Sequence, residues 1–369
     1  MKTAIVLGSG IAGATASIAL LQAGWQIKLY ERATQLAPVG AALSIWPNAM
    51  QALDRLGLAD KVRARGMPFT TMLVADRDER PIIAARKVDE EAVIITRAAL
   101  QAVLIGSLPP DVLMLNCEAT GVDVTDDQVR VTFADGQIAR ADILIDAGGI
   151  RSAASDASDV SYRGYGGVVA VSDEVPGVGL DGLAAEYWGW RERFGLFELP
   201  DRRRYWYYMR DQHVDAAPPS HDHISVRVAD WTPALRHAVA ATPANRLIPF
   251  SIHARSAPRR LGEGRLLRVG DAAHAMEPNL GQGACQAIED AVALRAVARA
   301  YHPDEMLKAF ERLRLKRVSA IVRRAAEGKY GAHGRLSTQW AMRTLIRLMP
   351  ASVSDGLARS IQTMPTYHH

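Results

Sequence analysis

Cysteine is scarce in this chain: only Cys117 and Cys285 occur in 369 residues, far apart in sequence. That excludes a disulfide framework and a cysteine-spaced zinc site, and it suits a reducing, cytoplasmic setting. Long apolar runs are missing, so no segment reaches the ~18 uninterrupted residues of a spanning helix. The stretch after Met1-Lys2 resembles a secretory leader, but Gly8, Gly10 and Gly13 interrupt it. Blocks of like charge, internal repeats and low-complexity tracts are absent too. The net charge of +4 is carried by scattered Lys and Arg, which fits an anionic cofactor or substrate better than a nucleic acid.

What remains is an ordinary globular composition, 49% hydrophobic, long enough for about two domains. Residues 2–7 read as a buried strand, 11–23 as a helix and 26–30 as a second strand, which makes a βαβ unit. A short amphipathic helix is expected at 48–57, and another opens at Ile94-Ile95-Thr96-Arg97. From 160 to 255 the pattern turns to period-2 runs, including 167–172, 194–199, 205–209 and 223–228, so a largely antiparallel sheet is expected there. After the strand 265–269, long helices follow at 281–300 and 304–327. The fold class is therefore α/β. A discontinuous nucleotide domain (1–70, 96–160 and 260–330) accepts an inserted sheet domain (71–95 and 161–259), and a helical tail follows at 331–369.

Two glycine-rich loops carry the chemistry. In Gly8-Ser9-Gly10-Ile11-Ala12-Gly13, Gly8 allows a tight turn, Gly10 lets backbone approach a pyrophosphate, and Gly13 permits close helix–strand packing. Phosphates would sit at the N-terminus of the 11–23 helix, contacted by Ile11 and Ala12. Glu31 closes the second strand, beside Arg32, where a carboxylate binds adenosine ribose hydroxyls. The second loop runs from Gly270-Asp271 through Pro278 to Gly281-Gln282-Gly283. Asp271 suits the ribityl or phosphate region, and the 281–283 backbone would face the pyrimidine end of a flavin ring. A dinucleotide that needs both loops is FAD.

These residues resemble the FAD-dependent aromatic hydroxylases of the para-hydroxybenzoate hydroxylase type over nearly the whole chain. The stretch Pro38–Asn48 is most similar to the branch holding urate, hydroxynicotinate and salicylate hydroxylases and the plant epoxidases. The resemblance implies a Rossmann-like FAD domain of the glutathione-reductase type, with Arg97 on the FAD phosphates and the 40–47 loop beside the flavin. It implies NAD(P)H as reductant, and hydroxylation of an aromatic or heteroaromatic ring through a flavin C4a-hydroperoxide. One segment departs from the pattern. Where the family reads Ala-Asp-Gly-x-x-Ser, this chain has Asp146-Ala147-Gly148-Gly149-Ile150-Arg151-Ser152, and Ser155 replaces a following arginine. Simple loss of the aspartate is expected here, rather than compensation by Asp146. Nicotinamide-driven reduction should then be slow, and Gly148→Asp should restore it in part. Alternatives are a flavin epoxidase, an enzyme that takes externally reduced flavin, and an FAD-binding protein without oxygenase turnover.

On the substrate side, Tyr205, Tyr207 and Met209 alternate with Trp206, Tyr208 and Arg210, and one of these two faces lines a cavity while the other packs. By resemblance, Arg193 takes the place of a catalytic arginine, and Trp206 that of a substrate-contacting tyrosine. Trp206, Tyr208 and Arg210 are thus the expected substrate-binding residues, which disfavours urate and favours a larger aromatic acid, phenol or quinolone. Pro278 is expected beside the reacting ring. A solvated Arg193 and an ordinary aromatic core are the plain alternatives. The Arg-rich helix at 312–324 should bury Leu313, Val318, Ile321 and Val322 and leave its charges in water. The tail from Trp340 to Met364 is expected to pack on protein or to form a homodimer helix, with membrane contact disfavoured.

Overall fold

The computed structural model describes residues 1–36, 40–177 and 179–367. Pro38 and Val39 of the branch-specific stretch therefore lie outside the described residues, as does the last part of the tail. A six-stranded sheet carries the nucleotide domain. Thr3–Leu7 lies at its centre, with Ile143–Asp146 and Gln26–Tyr30 parallel on either side. Leu266–Arg268 and Leu113–Met114 extend it in parallel, and Gly262–Glu263 closes one edge antiparallel. Val6, Leu29 and Ile145 are wholly buried against helices, while Ile5, Leu7 and Leu144 on the other face pack on Val129, Val131 and Phe133, so the sheet is covered on both sides. Helices Ile11–Gln22 and Gly283–Ala300 pack against each other and against this sheet.

The second sheet has eight strands, ordered Ile248–Arg255, Val160–Val171, Arg204–Asp211, Glu192–Glu198, Leu183–Trp188, Met67–Asp76, Pro81–Thr96 and Ala42–Ile45. Every pairing is antiparallel except that of Leu183–Trp188 with Met67–Asp76. Residues 42–45 were read as a loop but form its edge strand. A separate three-stranded sheet spans residues 119–141.

One secondary-structure expectation fails. Residues 223–228 are not a strand but lie within the helix His221–Val228, capped by the Ser220 hydroxyl, which accepts from the His223 N–H. The apolar residues of Ile224-Ser225-Val226-Arg227-Val228 alternate, yet only Ile224 and Val228 are buried, four apart, and Val226 is 75% exposed. Spacing of four is helical, and the partner is the helix Pro233–Ala240. This helix pair covers the outer face of the large sheet. The other face meets the nucleotide domain and the tail helices Leu336–Leu348 and Ala351–Gln362.

Candidate active site

A cavity of about 920 Å³ is lined by both large sheets and both tail helices. At one end lie Gly8, Gly10, Ile11, Ala12, Glu31, Arg32 and Arg97, and further along come Asp271, Pro278 and Gly281 to Gly283. Gly13 stands behind this lining. A Cβ there would fall 1.8 Å from the Gly8 carbonyl oxygen, so its glycine serves helix–strand contact. Gly10 differs, because nothing lies within 4 Å of its Cβ position and bare backbone faces the cavity.

The residues present fit FAD on three counts. Helices Ile11–Gln22 and Gly283–Ala300 both begin without a side-chain cap, so their N-terminal N–H groups are left for an anionic or carbonyl-bearing ligand. The helix Arg97–Ile105, by contrast, is capped by Thr96. Second, the buried Trp46 Nε1 has no partner and stands at the Gly281 turn, where φ is +61°. Third, Glu31 is placed as a ribose acceptor. Burial raises its pKa, but bonds from the Ser9 N–H (2.8 Å), the Ala33 N–H and the Ser9 hydroxyl outweigh this and hold it below the usual carboxylate range.

Behind the second loop lies a closed charge cluster. Arg314 is fully buried, with Nε donating to Asp290 Oδ1 at 2.7 Å and Nη1 to Glu289 Oε2 at 2.6 Å. Asp290 also accepts from the Gly270 N–H and pairs with His274 Nε2. Glu289 accepts from Asn48, Gln286 and Arg317. Burial raises both carboxyl pKa values, yet Arg314 with Arg317 for Glu289, and His274 with Arg314 for Asp290, bring both below their ordinary values. The expectation that the 312–324 helix keeps its charges in water thus fails at Arg314. Gln282 turns its amide into this cluster, so only its backbone is free for a ligand.

The 146–155 segment, where the chain departs from the family pattern, is held by its own carboxylate. Asp146 is wholly buried, and its Oδ1 accepts from the Gly148 N–H (3.0 Å) and the Ser152 hydroxyl (2.6 Å), while Oδ2 accepts from the Ser155 hydroxyl. Gly148 and Ser155, the two departures from the family pattern, are both donors to Asp146. Asp146 ties the loop together from within but does not line the cavity, so no carboxylate stands where the family's aspartate would. A Cβ at Gly148 would stand 2.7 Å from Ser152 Oγ and 3.3 Å from Asp146 Oδ1.

The substrate end corrects another expectation. Trp206, Tyr208 and Arg210 face away from the cavity, toward the 221–240 helix pair. Trp206 Nε1 donates to Thr242, Tyr208 OH donates to Glu192, and Arg210 reaches Gln212 and the Ala217 carbonyl. Tyr205, Tyr207 and Met209 line the cavity instead. Strand alternation defined the two faces correctly but not which was covered, because the covering helix had been read as a strand. The case against urate built on Trp206 falls with it.

Glu186 is the residue that sequence reasoning missed. It is a lone carboxylate in the apolar strand Leu183–Trp188, and it faces the cavity. It accepts from the Tyr207 hydroxyl and, at 2.9 Å, from Trp188 Nε1. Gly195 makes this possible, since it lies between Glu186 and Tyr207 in register and a Cβ there would fall 2.1 Å from the Tyr207 ring. A carboxylate amid apolar residues, opposite a strand-interior glycine, was the available sign.

Arg193 is 1% exposed and so is no surface charge. Nη1 lies 3.8 Å from Glu186, and Nη2 donates to Asn279 Oδ1 at 2.5 Å and lies 3.3 Å from Met209 Sδ. Burial lowers its pKa, but Glu186 and the surrounding phenols raise it above the usual value, keeping it cationic. Tyr165 donates to Glu277 and Asn279 and stacks on His333 at 4.3 Å. Burial raises the Tyr207 and Tyr205 phenols, aided by Glu186, so both stay protonated as donors. The Cys285 thiol, pushed up to about 12 by burial, is inert.

Comparison with known proteins gives a consistent answer. The model of the "FAD binding domain" family matches residues 1–325. The Aurachin C monooxygenase/isomerase of Stigmatella aurantiaca is 31% identical over 372 residues, 97% of each chain. The FAD-dependent urate hydroxylase of Mycolicibacterium vanbaalenii is 30% identical, covering 87% of this chain and 86% of its own. Among solved structures, Klebsiella pneumoniae HpxO complexed with FAD and uric acid superposes with a TM-score of 0.88 at 26% identity, over 99% of this chain and 97% of that one.

Proposed function

Because the chain belongs to the FAD-dependent aromatic hydroxylases, its activity is monooxygenation of an aromatic or heteroaromatic small molecule, and we propose that its own substrate is a phenol or N–H-bearing heteroaromatic, quinolones included, rather than an aromatic acid. Bound FAD supplies the relay of electrons from NAD(P)H to O2 and delivery of one oxygen atom to the ring. Overall, a ring C–H becomes C–OH, the second oxygen leaves as water, and NAD(P)H is oxidised with uptake of one proton.

The observation that carries the substrate class is Glu186. It faces the cavity as an acceptor, held by the Tyr207 hydroxyl and the Trp188 N–H. A ring O–H or N–H would donate to it and be oriented by it, and partial loss of that proton would enrich the ring toward oxygen attack. A carboxylate placed there would meet like charge. Of the nearby cations, Arg193 holds Asn279 and Arg86 pairs with Asp355 at 2.8 Å, while Lys87, which also lines the cavity, is exposed to solvent. We assign Gly8, Gly10, Ile11, Ala12, Glu31, Arg32, Arg97, Asp271, Gly281, the Gln282 backbone and Gly283 to FAD binding, with Gly13 supporting the turn from behind. Pro278 and Asn279 flank the reacting ring, with Arg193 as the positioning residue behind them. Substrate-stimulated NAD(P)H oxidation by a panel of phenols, quinolones and aromatic acids tests this reading. Stimulation by acids alone would overturn it.

The 146–155 loop favours a second reading of electron supply, in which reduced flavin arrives from a separate reductase. Anaerobic stopped-flow reduction separates the two, since slow unsaturable bleaching by NADH and NADPH, with product formed only when a reductase is added, supports external supply. Gly148→Asp alone is now expected to weaken FAD retention, because it drives a second carboxylate against Asp146 and Ser152. Pairing it with Asp146→Gly should relieve that conflict.

A further inference from the structure

The whole formal charge of this protein resides in its last 42 residues. Five cations (Lys329, Arg335, Arg343, Arg347 and Arg359) stand there against one acid, Asp355, giving the +4 of the entire chain. The same segment carries a concentration of exposed apolar side chains: Leu336 (54% exposed), Trp340 (64%), Leu345 (58%), Leu348 (76%), Val353 (50%) and Leu357 (40%). Both tail helices are two-sided. Met342 and Ile346 of the first, with Ala358 and Ile361 of the second, line the active-site cavity; Trp340, Leu348 and Val353 point away from it, and Leu345 and Leu357 lie on the flanks. The first helix is pinned in this orientation. Arg343 donates to the Gly331 and Gly189 carbonyls, and the Gln339 Oε1 accepts from the Arg191 N–H. Arg343 also stacks at 4.2 Å on Trp190, itself 50% exposed, which extends the apolar surface onto the large sheet.

We infer that the outer face of the two tail helices, with Trp190, is a docking surface for an anionic lipid leaflet. No helix among the described residues is long and apolar enough to cross a membrane, so the contact is one of lying in the interface. Leucine, valine and tryptophan would enter the headgroup–acyl boundary while Arg335 and Arg347 stay with lipid phosphates. Charge decides between this occupant and a second copy of the chain. Arg343 is buried and Arg359 pairs with Asp89 at 2.8 Å, so the face itself presents Arg335 and Arg347; a symmetric dimer would bring these cations of two copies together, whereas an anionic leaflet neutralises them. The docked helices would also place the apolar end of the cavity beside the bilayer, where a lipophilic ring compound accumulates. The inference about docking does not depend on the oxygenation chemistry.

The test is flotation of the full-length FAD-loaded protein with vesicles of phosphatidylcholine alone or mixed with phosphatidylglycerol, at low and high salt. Retention by the phosphatidylglycerol vesicles, reduced by salt, is expected. Arg335→Glu/Arg347→Glu should weaken it at least 25-fold, about fivefold for each cation removed. Trp340→Glu/Leu348→Glu should abolish it with thermal stability unchanged. Absence of retention on anionic vesicles, or retention that both variants leave intact, overturns the inference. So does a concentration-dependent dimer that Trp340→Glu/Leu348→Glu dissolves, since that would assign the face to a second copy.

Discussion

Two buried charge clusters flank the flavin loop, and they are built on opposite terms. The one behind the loop joins Arg314, Arg317, Glu289, Asp290 and His274, and nearly every polar atom has a partner; His274 Nδ1 is the exception among the described residues. The one on the cavity side joins Arg193, Glu186, Glu277, Arg163 and His333. It leaves Arg193 Nε and His333 Nε2 without hydrogen-bond partners, while Arg163 Nε and Glu277 Oε1 face each other as an ion pair at 3.6 Å, beyond hydrogen-bond distance. A saturated cluster has one arrangement and holds shape. An unsaturated one is less tightly fixed; of its members only Glu186 lines the cavity, so the spare bonding capacity lies in the layer behind the cavity wall.

The sharpest way to break this comparison is to remove the arginine from each side. Arg314→Met strands Glu289 and Asp290 in the interior and should cost about 3–5 kcal/mol, read in urea unfolding. Arg193→Met frees fewer partners, and its carboxylate partner Glu186 stands at 3.8 Å, so it should cost only about 1 kcal/mol, while depressing turnover far more than it depresses FAD binding. Equal stability losses in the two variants would erase the distinction. Next in size is Glu186→Gln, which keeps an acceptor for Tyr207 but loses the charge. We expect kcat/KM for phenols and N–H heteroaromatics to fall about 100-fold, with stability little changed. A uniform fall for all ring classes would count against a proton acceptor. Smaller again is Gly195→Ala. Its methyl group would displace the Tyr207 ring from Glu186, lowering kcat/KM about tenfold and costing about 1–3 kcal/mol through overpacking. A Tyr207→Phe variant with unchanged kinetics would show that the pairing is structural only.

The nucleotide half was legible in the sequence because its function rests on backbone. Glycine spacing, the strand before it and Glu31 after it are local and short-range, so they survive in a linear reading. The substrate half rests on which face of a sheet is covered, and that is decided by elements far apart in sequence. Misreading Ile224 to Val228 as a strand was enough to move the expected substrate contacts from Tyr205 and Tyr207 to Trp206 and Tyr208. Arg314 was hidden for a related reason. Helical periodicity ranks it with the solvated charges, and only the helix Gly283–Ala300, which presents Glu289 and Asp290, gives it a buried position. Asp146 shows a subtler limit. A motif read position by position registers Gly148 as a loss, and only three-dimensional bonding shows that Gly148 and Ser155 both donate to the buried Asp146.

The finest probe of the unsaturated cluster is pH. Burial, with Arg193 adding to it, pushes the His333 pKa down to about 4 against the partial support of Asp211, to which it bonds at 2.8 Å. The ring is therefore neutral when folded, while the unfolded chain protonates it near 6.5. Because the unfolded state binds the proton more readily, the stabilising contribution is complete above pH 6.5. It falls as pH drops toward 4, by about 1 kcal/mol at pH 5.5. The carboxylates of the saturated cluster, whose folded pKa values lie below ordinary ones, act in the same direction, but only below the carboxylate range. His223, also lowered by burial, stays in place in a His333→Gln variant and cancels in the difference. Stability of the variant should thus be flatter than that of the parent between pH 6.5 and 5, and parallel to it below 4. Parallel curves throughout would mean that His333 is already satisfied as a cation, and that the cavity-side cluster is as closed as the one behind it.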